Sequence, residues 1–278
     1  MTVRVTTRLG CLACWLACCL CADLRAQQTT DELRDLARNP VGDAIKVPLT
    51  SSISIDAGPY HRTAFGLQAL PLIPLQVSSN WLLIPRISAN PLVYLPDVTQ
   101  PSSGITGMGD TVATVFLTPA HPGWLIWGIG PSLLIPTATN SALGGGTWDL
   151  GPSVAVVVQP KWGGFWVAAQ NIWSLPVNPL RSSVNQLQIE ASFSVNLPHD
   201  WYLFTNPTIN ANWADSGDGR WLVPFGGGLG RTFNIGRQAV DWNVALYHNT
   251  IRPAPQFFPK WQLSSQFTLI YPRKRKSN

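Results

Sequence analysis

Asn185–Trp213 reads NQLQIEASFSVNLPHDWYLFTNPTINANW. From Gln186 to Leu197 one set of alternate positions holds Leu187, Ile189, Ala191, Phe193, Val195 and Leu197. The other holds Gln186, Gln188, Glu190, Ser192, Ser194 and Asn196. A period of two is the signature of a β-strand with one apolar and one polar face. Pro198-His199-Asp200 makes a tight turn, and Trp201 opens a second strand. There Leu203, Ile209, Ala211 and Trp213 oppose Tyr202, Asn206, Thr208, Asn210 and Asn212. The polar face carries amides and hydroxyls with a single glutamate, not the Lys/Glu mixture of a strand facing bulk water. This hairpin therefore predicts an apolar face against lipid and a polar face lining a barrel lumen.

The composition fits that reading. Only 12% of the 278 residues are charged against 45% hydrophobic, about half the usual charged share. Mean hydropathy is +0.09, yet after Ala26 no apolar run is long enough for a membrane helix. Interleaved apolar and polar residues produce that combination in a transmembrane β-barrel. Residues 1–26, with Arg4, Arg8 and the apolar run Leu9–Ala22, read as a secretory signal. All five cysteines fall inside it (Cys11, Cys14, Cys18, Cys19, Cys21). A processed chain would then have no disulfide and no thiol chemistry. Much of the net charge of +5 lies in the signal and in a basic tail at 273–278. No basic patch argues for nucleic acid.

Along the chain, Asp31–Asn39 forms a short amphipathic helix that Pro40 and Gly42 end; it lies on the membrane surface or enters the barrel as a plug. About twelve strands follow, an even number as in bacterial outer-membrane barrels. They are expected at 48–56, 62–77, 81–94, 106–118, 124–136, 148–159, 163–174, 184–197, 201–213, 221–233, 239–251 and 260–271. The fold class is thus all-β, an antiparallel up-and-down barrel over 48–272, preceded by a periplasmic or plug segment at 27–47. Short connections at 78–80, 120–123, 160–162 and 198–200 alternate with longer ones at 95–105, 136–147, 175–183 and 214–220. The short side is expected to be periplasmic. Trp81, Trp124, Trp148, Trp201, Trp213, Trp221 and Trp261 stand at or beside strand ends, as an interfacial girdle requires. The last strand ends at the aromatic Tyr271, a terminus that outer-membrane assembly machinery is expected to read. Prolines at 71, 74, 85, 91, 131, 152, 207 and 224 oppose the pattern, since a closed barrel has no free edge to absorb them.

Strand parity nominates Arg86, Ser88, Asn90, Gln186, Gln188, Glu190, Tyr202, Asn206, Asn210 and Tyr247 as lumen-lining, with Phe204 also inward. Arg86 and Glu190, near strand centres, are expected to pair or to set the field of a pore. Motifs for chemistry are scarce. Gly226-Gly227-Gly228-Leu229-Gly230 lacks the Lys-Ser/Thr of a phosphate loop, and the four histidines show no metal-ligand spacing. The reading is therefore of no catalytic residues, metal or cofactor. A barrel lipase would need His248 and Ser265 as partners on the outer wall.

Several motifs carry a resemblance. They are Leu36–Asp43 (LARNPVGD), Gly107–Asp110 (GMGD), Thr118–Ala120 (TPA), Trp127–Pro131 (WGIGP) and Ile135–Thr139 (IPTAT). Gln170–Ser174 (QNIWS), Val184–Gln186 (VNQ) and Trp221–Arg231 (WLVPFGGGLGR) complete the set. Together they resemble the MetA-pathway phenol-degradation family of bacterial outer-membrane barrels, many of whose members carry the label neuromedin U. The resemblance implies a Gram-negative outer-membrane location, a lipid environment and passage of small hydrophobic or aromatic solutes. It supplies no ligand residues. The competing reading is a structural or adhesion barrel whose loops bind an outside partner, but Pro136–Thr147 is short for that and lacks aromatic anchors.

Overall fold

The computed structural model describes residues 30–175, 184–215 and 217–272; the expected signal and basic tail, and most of the connection at 175–183, lie outside them. A helix, α1 (Thr30–Arg38), precedes fifteen strand segments joined in one antiparallel sheet. In chain order these are β1 (Ala44–Ala57), β2 (Arg62–Ala69), β3 (Leu75–Gln76), β4 (Trp81–Pro96) and β5 (Gly104–Gly107). Next come β6 (Thr111–Pro119), β7 (Leu125–Ile135), β8 (Asp149–Val158), β9 (Gly163–Ser174) and β10 (Asn185–Asn196). The last are β11 (Trp201–Thr205), β12 (Thr208–Asn212), β13 (Trp221–Ile235), β14 (Gln238–Ile251) and β15 (Trp261–Pro272). Three pairs of segments, β2/β3, β5/β6 and β11/β12, each make one interrupted strand. The result is a 12-stranded closed barrel. Closure comes from β1 lying antiparallel to β15, from Ala44↔Pro272 to Ile55↔Trp261. Strand β1 begins at Ala44, before the Pro48 expected from the pattern, because Ile45 and Val47 continue the outward alternation.

Alternation decides which way each strand faces. Along β10 and β11, Phe193 and Leu203 are exposed on the outer surface while Ser192, Ser194 and Tyr202 are buried inside. Indoles gather near both strand ends. Trp81 meets Trp127 edge-on at 5.9 Å near the end with short turns, and Trp213 meets Trp221 at 5.7 Å near the end with loops. The hairpin between β10 and β11 turns through His199 (φ 60°) and Asp200 (φ 65°). Both positive angles match the twist of the flanking strands. Between β13 and β14 the same job falls to Gly236 (φ 61°).

Several strand prolines sit beside a break in a ladder, while Pro85 pairs with Val115 inside the unbroken β4–β6 ladder. Pro71 and Pro74 flank the gap between β2 and β3, Pro207 separates β11 from β12, and Pro224 adjoins a register shift in the β13–β14 ladder. Pro131 and Pro152 are register partners of one another. Two prolines cannot exchange hydrogen bonds, so each turns its donorless nitrogen toward its other neighbour. On those sides pairing skips, from Thr114↔Ser132 to Leu117↔Ile129 and from Leu150↔Trp173 to Ser153↔Gln170. The residue before each proline is glycine, and the neighbouring strand closes over it. A Cβ on Gly130 would lie 1.8 Å from the Val115 carbonyl oxygen, and one on Gly151 would lie 1.7 Å from that of Asn171. Gly151→Ala is therefore expected to cost ~1–3 kcal/mol as overpacking, read as earlier loss of the folded band in heat-modifiable electrophoresis. An unchanged transition would mean that β9 yields freely.

Inside, the rule of apolar outward and polar inward holds only over part of the height. Near the short-turn end Leu82, Ile84, Phe116, Ala155, Val157 and Ala168 form an apolar cluster with Val41 and Leu72. These are inward positions, in phase with Arg86, Thr114, Ser153 and Gln170.

Candidate functional site

The barrel interior is the candidate site. Register places Arg86 beside Thr114, Thr114 beside Ser132, Ser153 beside Gln170 and Gln170 beside Gln188. One inward row thus crosses β4, β6, β7, β8, β9 and β10. The hydroxyls of Thr114, Ser132 and Ser153 bond in series. Ser132 Oγ donates to Gln170 Oε1 at 2.8 Å, and Gln170 Nε2 donates to Gln188 Oε1 at 2.7 Å. Arg86 Nη2 then donates to both oxygens of Glu190, at 2.6 and 2.7 Å. Since β4 and β10 are five steps apart along the sheet, this ion pair crosses the interior. It passes over a floor of short hydroxyl side chains, which leaves room for the two long ones. At this height the lumen is divided. One lobe, between the pair and β6–β9, is filled by side chains, with Thr114, Ser132 and Ser153 buried beneath the pair; the other is bounded by β11–β15, β1 and β2.

The remaining nominated residues are distributed around the wall. Ser88 accepts from Gln68 at 3.0 Å, and Asn90 Nδ2 donates to the Asp110 carbonyl at 2.8 Å. The Tyr247 hydroxyl accepts the Asn206 backbone N–H at 2.9 Å, filling the break that Pro207 leaves in the strand. Asn210 bonds locally to the Thr208 carbonyl, and Gln186 lies exposed near the loop end. Tyr202 points to the short-turn end, where its hydroxyl donates to Asp241 at 2.7 Å and Thr232 donates to the other oxygen at 2.7 Å. Gly230 makes room for it: a Cβ there would fall 2.3 Å from the tyrosine ring.

The short-turn mouth is occupied by the N-terminal segment. Leu33 packs on Ala44, Ala239 and Ile270, with Leu36 and Ala37 at the edge of that cluster. Arg38 stacks over the Tyr202 ring, 4.6 Å from its centroid, and donates to Asn196 Oδ1 at 2.9 Å. Lys46 Nζ, buried on β1, donates to the carbonyls of Leu36 and Asn39 at the end of the helix. An ammonium there satisfies acceptors that the helix itself leaves open and complements its dipole. Gln159 ties the segment to the opposite wall, donating to the Asp35 carbonyl at 2.6 Å and accepting from Asn39. Val41 inserts into the apolar cluster of the β4–β9 lobe.

Sequence parity missed several of these groups. Asp241 and Asn243 alternate with Trp242 in phase with Tyr247, so the signal for them was present. Lys46 was hidden by starting the strand at Pro48. The outer-wall pair His248 and Ser265 is not brought together: His248 meets Trp261 edge-on at 4.7 Å, and Ser265 accepts from Trp242 Nε1 at 3.1 Å.

With this geometry in place, the solved structures include an informative likeness. An outer membrane channel of Pseudomonas putida F1, described as COG4313, superposes with a TM-score of 0.57 at 15% identity, covering 85% of this chain and 98% of that one. The two share a fold. No protein-family model matches the chain, and no curated protein does either.

Proposed function

We propose that this barrel spans an outer membrane, with its short turns and α1 in the periplasm, and passes small hydrophobic or aromatic solutes. The observation that carries the reading is the two-sided wall. Outside, large apolar side chains such as Leu203, Phe225 and Leu246 are 51%, 75% and 47% exposed, a surface that calls for acyl chains. Inside, half-buried polar side chains such as Arg86, Gln188, Glu190 and Asn210 offer water a hydrogen-bonding wall, while the apolar cluster near the short-turn end is packed shut. Barrels of about eight strands fill with side chains, while those of about sixteen or more hold open water. Twelve strands leave a narrow passage between those limits. The motif resemblance to phenol-degradation barrels supports the same solute class, and the likeness to an outer membrane channel supports a passage without naming its solute.

Planar-bilayer recording and proteoliposome uptake over a panel of aromatic and aliphatic compounds test this. Discrete conductance steps and faster entry of small aromatics are expected. Absence of both, with and without residues 30–42, would overturn the passage reading. A processed chain that stays dissolved without detergent would overturn the membrane placement itself.

A further inference from the structure

Near the short-turn end one outward row crosses adjacent strands: Trp201 pairs with Arg231, Arg231 with Trp242, and Trp242 with Phe267. Leu49 continues it beyond Phe267. Its members face out, because Tyr202, Gly230 and Asp241, the alternate positions beside them, are turned into the barrel. Arg231 is thus a cation in an otherwise apolar row. Its guanidinium carbon lies 5.6 Å from the Trp201 ring centroid, and its Nε is buried without a hydrogen-bond partner. Among the described residues no carboxylate forms a salt bridge with it. The Trp242 indole on the other flank is pinned by its N–H to Ser265 Oγ at 3.1 Å, so it presents a fixed face.

A guanidinium held in a lipid-facing wall needs an anion that arrives with the lipid. Arg231 lies four positions from the end of β13 at Ile235, so its side chain reaches the headgroup level on that side. Phosphate matches the planar fork of arginine, and indoles on both sides suit the boundary between headgroup and acyl chain. The opposite leaflet is at the wrong end of the barrel.

We infer that Arg231, between Trp201 and Trp242, binds the phosphate of a phospholipid in the leaflet at the short-turn end. This rests on the membrane placement proposed above, but not on any transport. The test is native mass spectrometry of the full chain released from detergent, after incubation with dioleoyl phosphatidylglycerol or with dioleoylglycerol, which has the same acyl chains and no phosphate. The wild type should retain the phosphatidylglycerol adduct and not the diacylglycerol. R231Q should lose it several-fold, R231K should fall between, and all should keep heat-modifiable migration and the same conductance. Should R231Q fail to fold, W201F, which removes the indole contact alone, should still reduce retention. Equal retention of both lipids by the wild type, or equal phosphatidylglycerol retention by wild type and by the folded Arg231 and Trp201 variants, would overturn the site. A chain that needs no detergent would instead remove the membrane placement beneath it.

Discussion

Deleting residues 30–42 should raise single-channel conductance several-fold, with the barrel still folded. In one lobe this segment caps the short-turn mouth, with Leu33 on Ala239 and Ile270 and Arg38 over Tyr202. Its loss also removes Val41 from the apolar cluster of the other lobe. Burial of Leu33 and of Val41 is worth about 1.5–3 kcal/mol each, a modest loss against a sheet closed on itself, so heat-modifiable migration should persist. Lys46 would lose the carbonyls of Leu36 and Asn39 and gain the water that replaces the helix. A deletion variant that folds and conducts like the parent would show that α1 does not limit the passage.

Glu190→Gln should alter both stability and selectivity. It leaves Arg86, 13% exposed in its side chain, facing a carboxamide where a carboxylate had taken two hydrogen bonds. Breaking a fully buried pair costs about 3–5 kcal/mol. With Glu190 itself 20% exposed to the lumen, a smaller loss of roughly 1–3 kcal/mol is expected. The unpaired cation should shift the reversal potential in a salt gradient toward anion preference. Arg86→Gln should shift it toward cations, and the double variant should return it to the parent value. Identical reversal potentials in all three variants would remove the pair from the conducting path.

Strand parity in β10, β4 and β14 was legible because those faces meet different media. Phe193 outside and Ser194 inside announce their surroundings directly. That logic fails near the short-turn end. There β8 carries Val154 and Val156 outside and Ala155 and Val157 inside, since Val41 and the neighbouring walls fill the space where water would otherwise be. Parity also turned Arg86 and Glu190 inward, but not toward each other. Their meeting depends on how the whole sheet curves, which no local pattern encodes. The prolines looked like errors in isolation; only register shows Pro131 facing Pro152, with Gly130 and Gly151 letting the outer strands close in.

The seam of the barrel also fixes an order of events. Ser51 on β1 donates to the Ser265 carbonyl on β15, 214 positions later in the chain. The first strand to be made pairs early with β2 on one edge, but the backbone donors and acceptors on its other edge wait for the last strand. Such an edge invites pairing with stray chains, and contacts between such distant positions form slowly. The leading edge thus stays open until Trp261–Pro272 arrives, and a chain truncated before β15 lacks the strand that closes the cylinder.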